Sequence, residues 1–175
     1  MQPGSTARLT ACAWLLCSLR AAAAPANPPP IKLAMFDFEL EDESAGPGES
    51  PADTALLRQI STEARQLIQS TARYTLVDLT PATEEPVTKR WLHQCHGCDA
   101  AIAAKLGAAQ SFVGFVTRIS RTEYMVTIQI TDAKTGALVT NAQSGLRMGA
   151  DYSWSRGVAT LIKDKLFRTK NEDAK

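Results

Sequence analysis

Short apolar segments separated by polar ones recur along the 175-residue chain, and their pattern predicts the strands. Residues 31–40 (IKLAMFDFEL) are mostly apolar and aromatic, which is typical of a buried strand. Residues 73–79 (RYTLVDL) predict a second strand. Residues 110–120 and 123–132 alternate apolar and polar positions and predict two more, joined by a tight hairpin. The turn at residues 132–136 (DAKTG) then leads into a last strand, ALVTNAQSGLRM.

Apolar residues at helical spacing predict three helices. Residues 54–72 form the longest, with Asp53 or Thr54 as its N-cap. The segment DAAIAAKLG predicts a short helix closed by Gly107, and DYSWSRGVATLIKDKLF predicts a third. Residues 80–94, which contain two prolines, are irregular or weakly helical. The order β-α-β-(α)-β-β-β-α predicts an α/β (α+β) fold: a mixed β-sheet with helices packed on at least one face.

The N-terminus has the features of a secretory signal peptide. Arg8 supplies positive charge, residues 9–19 are a short apolar run, and the alanine-rich residues 21–26 offer small-residue cleavage sites. The apolar run is shorter than the ~20 residues that span a bilayer. We therefore expect a periplasmic protein whose mature form has no transmembrane segment.

Three segments follow from this assignment: residues 1–26 as signal peptide and cleavage region, residues 27–168 as a single secreted globular domain, and residues 169–175 as a flexible tail. Removal of the first segment takes away two arginines and lowers the formal net charge from +1 to −1. A near-neutral domain has no electrostatic footprint for nucleic acid, so no nucleic-acid partner is expected.

The segment HQCHGC at residues 93–98 holds the two cysteines that remain after signal removal. In an oxidising compartment, Cys95 and Cys98 predict a disulfide that ties the irregular stretch to the short helix. A thiol-redox centre is the first alternative, although such a motif normally opens a long helix after a strand. Here Asp99 follows Cys98 directly, and its carboxylate disfavours a thiolate.

A metal site is the second alternative, because His93, Cys95, His96 and Cys98 are all ligands that zinc or copper accepts. Four ligands within six residues can hardly enclose a tetrahedral ion, however. A c-type haem would need a histidine where Asp99 stands.

Other chemistry-bearing patterns are incomplete. The acidic run DFELEDES at residues 37–44 lacks the glycine and the closing glutamate of an EF-hand, which favours a solvated loop rim. The chain has no G-x-S-x-G elbow and no phosphate-binding loop with its lysine. We therefore predict no catalytic residues and no cofactor.

The segment GADYSWSRG at residues 149–157 has two interpretations. It is a helix start with Trp154 packed into the core, or it presents Tyr152, Trp154 and Arg156 as a contact patch for a partner, since these residue types anchor interfaces.

Four motifs carry a family resemblance: C-x-x-C-D at residues 95–99, L-G-A at 106–108, D-x-x-T-G at 132–136 and S-W-x-R-G at 153–157. They resemble a bacterial family of secreted proteins of unknown function. More broadly, the chain is similar to the domain shared by the TolB N-terminal domain, the curli-secretion CsgG family and the lipoprotein activators of penicillin-binding proteins. The resemblance implies that this chain has the fold of that domain. It also implies a role as a binding and assembly module of the periplasm or outer membrane.

The resemblance implies a non-enzymatic accessory protein that binds another periplasmic or outer-membrane-associated protein, with a link to a quinoprotein oxidation system. We expect the outer strand of the meander and the DYSWSRG helix start to form the contact surfaces. The alternative function is a periplasmic metal-binding, metal-delivery or thiol-redox protein that uses HQCHGC.

Overall fold

A computed structural model of the chain describes residues 28–46, 48–147 and 152–167; the predicted signal peptide and tail lie outside these residues. A 3₁₀ turn at Leu92–Gln94 precedes the third helix, and a π-helical turn at Lys163–Phe167 continues the fourth. None of the described helices is long and apolar enough to cross a membrane. The strands and helices are β1 (Ile31–Met35), β2 (Glu39–Asp42), α1 (Pro51–Gln69), β3 (Tyr74–Leu76), α2 (Glu85–Thr88), α3 (Cys98–Lys105), β4 (Gln110–Arg118), β5 (Glu123–Asp132), β6 (Leu138–Arg147) and α4 (Tyr152–Ile162).

The strands form one mixed sheet in the order β3-β1-β4-β5-β6, with β2 also paired to β4. β1 runs parallel to both of its neighbours, and β2 is parallel to β4. β4, β5 and β6 form an antiparallel meander. This architecture confirms the predicted mixed sheet with helices packed on it.

The segment predicted as one strand over residues 31–40 is interrupted. Met35 lies opposite Phe112 and Glu39 lies opposite Phe115, so this segment is one residue longer than the facing part of β4. The extra residue makes a bulge that separates β1 from β2. The ring of Phe38 lies against the backbone of Gly114, where a Cβ atom would come within 2.4 Å of Cε1. Gly114 is therefore the residue that lets this ring enter the core.

Helices α1 and α4 pack together and cover one face of the sheet. Their apolar stripes meet the side chains that β1, β4 and β5 direct to that face, and each fully buried Leu, Ile or Phe contributes roughly 2 kcal/mol through the area that it removes from water. This main core includes Leu33, Met35, Leu57, Ile60, Phe112, Val126, Ile128, Ile130, Val158 and Ile162.

A smaller core lies on the opposite face, beneath α3 and the 3₁₀ turn. It includes Ala34, Phe36, Leu92, Ile102, Ala103 and Val113. Further across this face, Val113 lies opposite Gln129, and Gln129 lies opposite the exposed Asn141. The second face is therefore apolar over β1 and β4 and polar over the outer strands.

The long helix α1 begins earlier than the sequence predicts. Its N-cap is Ser50, not Asp53 or Thr54, and Pro51 takes the first helical position. The hydroxyl of Ser50 accepts the backbone N–H of Asp53 at 3.2 Å, while the Asp53 carboxylate accepts the backbone N–H of Ser50 at 2.9 Å. This reciprocal capping box explains the earlier start.

Candidate functional site: the cystine loop and the outer strand

The cystine loop, which we define as residues 92–99, forms a compact turn on the second face of the sheet. Cys95 and Cys98 are joined by a disulfide, and Cys98 is the first residue of α3. Between them, His96 and Gly97 have φ angles of +50° and +105°. Two successive left-handed residues close the turn, and Gly97 takes the larger positive angle because it has no Cβ.

Glu39 anchors the start of the cystine loop. Its Oε1 accepts the backbone N–H of Leu92 at 2.8 Å, and its Oε2 accepts that of His93 at 3.1 Å. The same Oε2 lies 2.5 Å from Nδ1 of His93, and the two side chains are only 1% and 5% exposed. The His93 ring stacks on Phe115 of β4, with ring centroids 4.9 Å apart. One buried carboxylate thus holds the loop through three hydrogen bonds.

Asp99 anchors the other end of the loop. Its carboxylate accepts the hydroxyl hydrogen of Ser111 on β4 at 2.5 Å, and both residues are buried. A carboxylate in the first turn of α3 also faces the positive end of the helix dipole. The disulfide therefore lies between two fixed points, which suits a structural element.

The chemistry open to the loop is limited by these contacts. The two sulfur atoms are bonded to each other, so neither thiolate is free to coordinate a metal or attack a substrate. Nε2 of His93 is buried without a hydrogen-bond partner in the described part of the chain, and Oε1 of Glu41 lies 3.9 Å from it. Among the described residues, no group of three or more His, Cys, Asp or Glu side chains could hold a metal ion. The structure thus does not assemble His93, Cys95, His96 and Cys98 as a ligand set.

The prediction that the acidic run is a solvated loop rim is wrong for Glu39. Residues of this run instead form β2, and Glu39 is fully buried. A carboxylate within a predicted buried strand is itself a signal, since a buried charge needs partners. What the sequence does not show is that the partner lies at His93, far along the chain.

A second polar cluster surrounds Arg118 at the far end of β4. Its Nη2 lies 2.6 Å from Oδ1 of Asp53, its Nη1 lies 3.0 Å from Oδ2 of Asp42, and Nη1 also donates to the carbonyl of Gly48 at 3.2 Å. The Asp53 pairing raises the pKa of the Arg118 guanidinium. Burial alone would raise the pKa of Asp53, but hydrogen bonds from Arg118 and Ser50 bring it below its ordinary value. This cluster ties the loop before α1 to the sheet.

The outer strand β6 is the last strand of the sheet. It pairs with β5 along one edge, and no strand among the described residues pairs with its other edge. Leu138 and Val139 at its start are 56% and 53% exposed. No charged residue occurs between Leu138 and Leu146.

Helix α4 places the three candidate contact residues differently. Trp154 is 3% exposed and packs against Tyr124, with ring centroids 5.6 Å apart, so its interpretation as an exposed contact is wrong. Arg156 is exposed. Tyr152 begins the helix, and its side chain lies outside the described residues. Arg156 lies on a helix that packs on β5 and β6.

The described fold belongs to a chain that matches a known family model. Residues 31–166 match the model of the family DUF3280, described as "Protein of unknown function (DUF2380)". This agrees with the prediction of a family of unknown function. No curated protein matches the chain significantly.

Several solved structures are similar to the chain. The LpoB C-terminal domain from Salmonella enterica is 14% identical, with 71% of this chain and 88% of that chain covered and a TM-score of 0.44. The lipoprotein GNA1162 from Neisseria meningitidis is 14% identical, with coverages of 83% and 97% and a TM-score of 0.46. TolB from Acinetobacter baumannii is 12% identical, with coverages of 78% and 28% and a TM-score of 0.44. At these values the similarity supports no inference about function.

Proposed function

We propose, from the premise that this chain belongs to the family described as "Protein of unknown function (DUF2380)", that it is a non-enzymatic accessory protein of the cell envelope. It binds another envelope protein, and the binding site is the outer edge of β6. The partner supplies an extended segment that adds to the sheet as a further strand.

The long, uncharged edge of β6 is the observation that carries this proposal. Soluble proteins usually guard an edge strand with charged side chains, proline, a bulge or short length, because its free N–H and C=O groups pair readily with other chains. β6 spans ten residues and carries no charge from Leu138 to Leu146. Its pairing with β5 shifts register at Val139, near the start of the strand, and continues without a break from Thr140 to Arg147. The opposite edge strand, β3, has only three residues. An edge of this length and composition suits pairing with a strand of a partner protein.

The chemistry of the edge defines the partner segment. Leu138 and Val139 give it an apolar end, while Asn141 and Gln143 give it neutral polar positions, and all four are exposed. A matching segment therefore has little charge and at least one apolar side chain that covers Leu138 and Val139. Arg156 on α4 provides a second contact beside the strand.

Recovery of the partner from cell envelopes tests the proposal. The tagged chain with Leu138→Lys and Val139→Lys should recover the partner at least ~tenfold less efficiently than the wild type, because two ammonium groups would be desolvated on strand addition. Ile119→Lys is the matched control, since Ile119 is also a large exposed apolar residue, 41% exposed, but lies at the β4–β5 hairpin. Surface changes of this kind alter stability by only about 0.5 kcal/mol. Equal recovery by the double variant and the wild type would refute the proposed edge.

The proposal also includes a location in the periplasm and a link to a quinoprotein oxidation system, as the sequence suggested. Export through a cleaved N-terminal signal is tested by the N-terminal sequence of the protein from the periplasm. The link to a quinoprotein oxidation system is tested by the identity of the co-purified partner.

The competing thiol-redox function makes a separate prediction. A Cys95–Cys98 oxidoreductase would reduce insulin with added thiol at a rate above background. The accessory function predicts no such turnover, and it predicts partner recovery by a variant in which both cysteines are replaced by alanine.

A further inference from the structure

The sheet contains a reversal in its winding that generates a crevice. From β1 the chain continues through β2, which lies along the same edge of β4, and then through α1 on one face to β3, on one side of β1. From β3 it passes through α3 on the opposite face to β4, on the other side of β1. In open sheets with parallel strands, such a reversal leaves a crevice outside the carboxyl ends of the strands, and ligands bind there.

A crevice of about 370 Å³ lies at this place, between the end of β1, helix α1 and the segment that contains α2. This volume falls within the range of small-molecule sites. One part of its lining is apolar and includes Phe36, Leu79 and Val87. The charged part consists of two arginines, Arg65 and Arg90, and two carboxylates, Asp37 and Glu39. The Glu39 carboxylate is already bound by the N–H groups of Leu92 and His93 and by the His93 ring. Arg65 and Leu79 also line an adjoining hollow of about 450 Å³.

Arg65 is held at the crevice by an exchangeable bond. Its Nη2 lies 2.6 Å from Oδ1 of Asp37 and 3.3 Å from the carbonyl oxygen of Met35. The Asp37 side chain is 57% exposed, so solvent can replace its contact at small cost. The carboxylate of Asp37 therefore occupies a position that another anion can take.

Arg90 is placed by a backbone conformation that arginine rarely adopts. Its φ angle is +55°, in the left-handed region that favours glycine. Its Nη2 donates to both carboxylate oxygens of Glu49, at 2.9 and 2.8 Å. Its Nε is buried and has no hydrogen-bond partner in the described part of the chain. A buried donor without a partner destabilises the protein, and an acceptor atom of a ligand would remove this cost.

We propose that this crevice binds a small organic carboxylate. The carboxylate group of the ligand binds between Arg65 and Arg90, displaces Asp37 from Arg65 and accepts a hydrogen bond from Nε of Arg90. The apolar part of the ligand packs on Phe36, Leu79 and Val87. This site is separate from the β6 edge and does not depend on the proposed partner.

A titration of the ¹⁵N-labelled full chain with hexanoate, followed by NMR, tests this site. Hexanoate should shift the backbone amides of Asp37 and Leu79 and the Nε–Hε signals of Arg65 and Arg90, with saturation at millimolar concentration. Acetate should bind at least ~tenfold more weakly, because it lacks the apolar chain. Inorganic phosphate that saturates the same signals at the same concentration as hexanoate would overturn the organic-ligand assignment.

Substitutions complete the test. Arg65→Gln and Arg90→Gln should each raise the hexanoate dissociation constant about tenfold or more, while Arg58→Gln, an exposed arginine of the same helix α1, should leave it unchanged. Asp37→Asn should lower the constant by about two- to fivefold, because it removes the competing carboxylate. A purely structural role for these arginines predicts no tightening by Asp37→Asn. Unchanged or weaker binding in that variant, in a folded protein, would overturn the proposal.

Discussion

Oε2 of Glu39 lies 2.5 Å from Nδ1 of His93, and both side chains are almost completely removed from solvent. The pair joins β2 to the segment that contains the only described cysteines, across a large stretch of sequence. Because Glu39 also accepts the backbone N–H groups of Leu92 and His93, its carboxylate positions the cystine loop from the edge of the crevice that it helps to line. His93 is thus a structural residue.

Removal of the histidine tests this role. His93→Ala should lower the free energy of unfolding by about 3 kcal/mol, because it leaves the buried carboxylate of Glu39 without its side-chain partner. Urea unfolding monitored by circular dichroism gives the value. His96→Asn is the control, since His96 is exposed and asparagine tolerates its positive φ, so its effect should stay within about 0.5 kcal/mol. Equal losses in the two variants would contradict the anchoring role.

The disulfide should stabilise the loop modestly. Closing so short a ring restricts the unfolded chain little, so replacement of both Cys95 and Cys98 by alanine should cost about 2 kcal/mol. Reductant should lower the unfolding midpoint of the wild type but leave that of the double variant unchanged. Alkylation of the native protein without reductant should label neither cysteine; labelling of most molecules would contradict the disulfide.

The contact between Phe38 and Gly114 predicts a position-specific effect in the sheet. Gly114→Ala should destabilise the protein by about 2–3 kcal/mol, because the new methyl group would overlap the Phe38 ring. Gly145→Ala on β6 is a matched control, since nothing lies within 4 Å of its Cβ position, and it should change stability little. Phe38→Leu combined with Gly114→Ala should cost less than the two single changes added together. Additive losses would show that the two positions do not interact.

The Arg118 cluster predicts how stability depends on pH. The pKa of Asp53 is below its ordinary value of 3.8 in the folded protein, so its contribution is present above that value and is lost as the pH falls through the lower folded pKa. Unfolding free energy should therefore decrease below about pH 4 in the wild type. Asp53→Asn should be less stable at pH 7 and show a smaller decrease in acid. Urea unfolding at several pH values measures both; identical acid dependence in the variant and the wild type would contradict this assignment.

Much of the fold follows from local sequence pattern. The apolar alternation in residues 123–132 and the helical spacing of Leu57, Ile60 and Ala64 correspond to β5 and α1, because each pattern matches the side of the element that is buried. The turn at Gly136 is also predicted from the sequence, because its φ of +70° is one that glycine adopts readily.

Features that depend on distant residues could not be predicted in this way. The bulge before Glu39 depends on how Phe38 packs against Gly114, and nothing in residues 31–40 alone specifies that contact. The crevice arises from the crossing of two helical connections on opposite faces, which brings Arg65 and Arg90 to one place. The sequence pattern of α4 allowed Trp154 to be either core or contact, and only its packing on Tyr124 decides between them.

Hydrogen–deuterium exchange of the β6 amides, in the free chain and in its complex with the recovered partner, tests the central claim most directly. Strand addition predicts that the outward-facing amides within Leu138–Arg147, which do not pair with β5, exchange more slowly in the complex because the added strand accepts their N–H groups. The amides of Tyr74–Leu76 at the opposite edge should keep their rates. A complex in which the β6 amides exchange as fast as in the free chain would contradict strand addition at this edge.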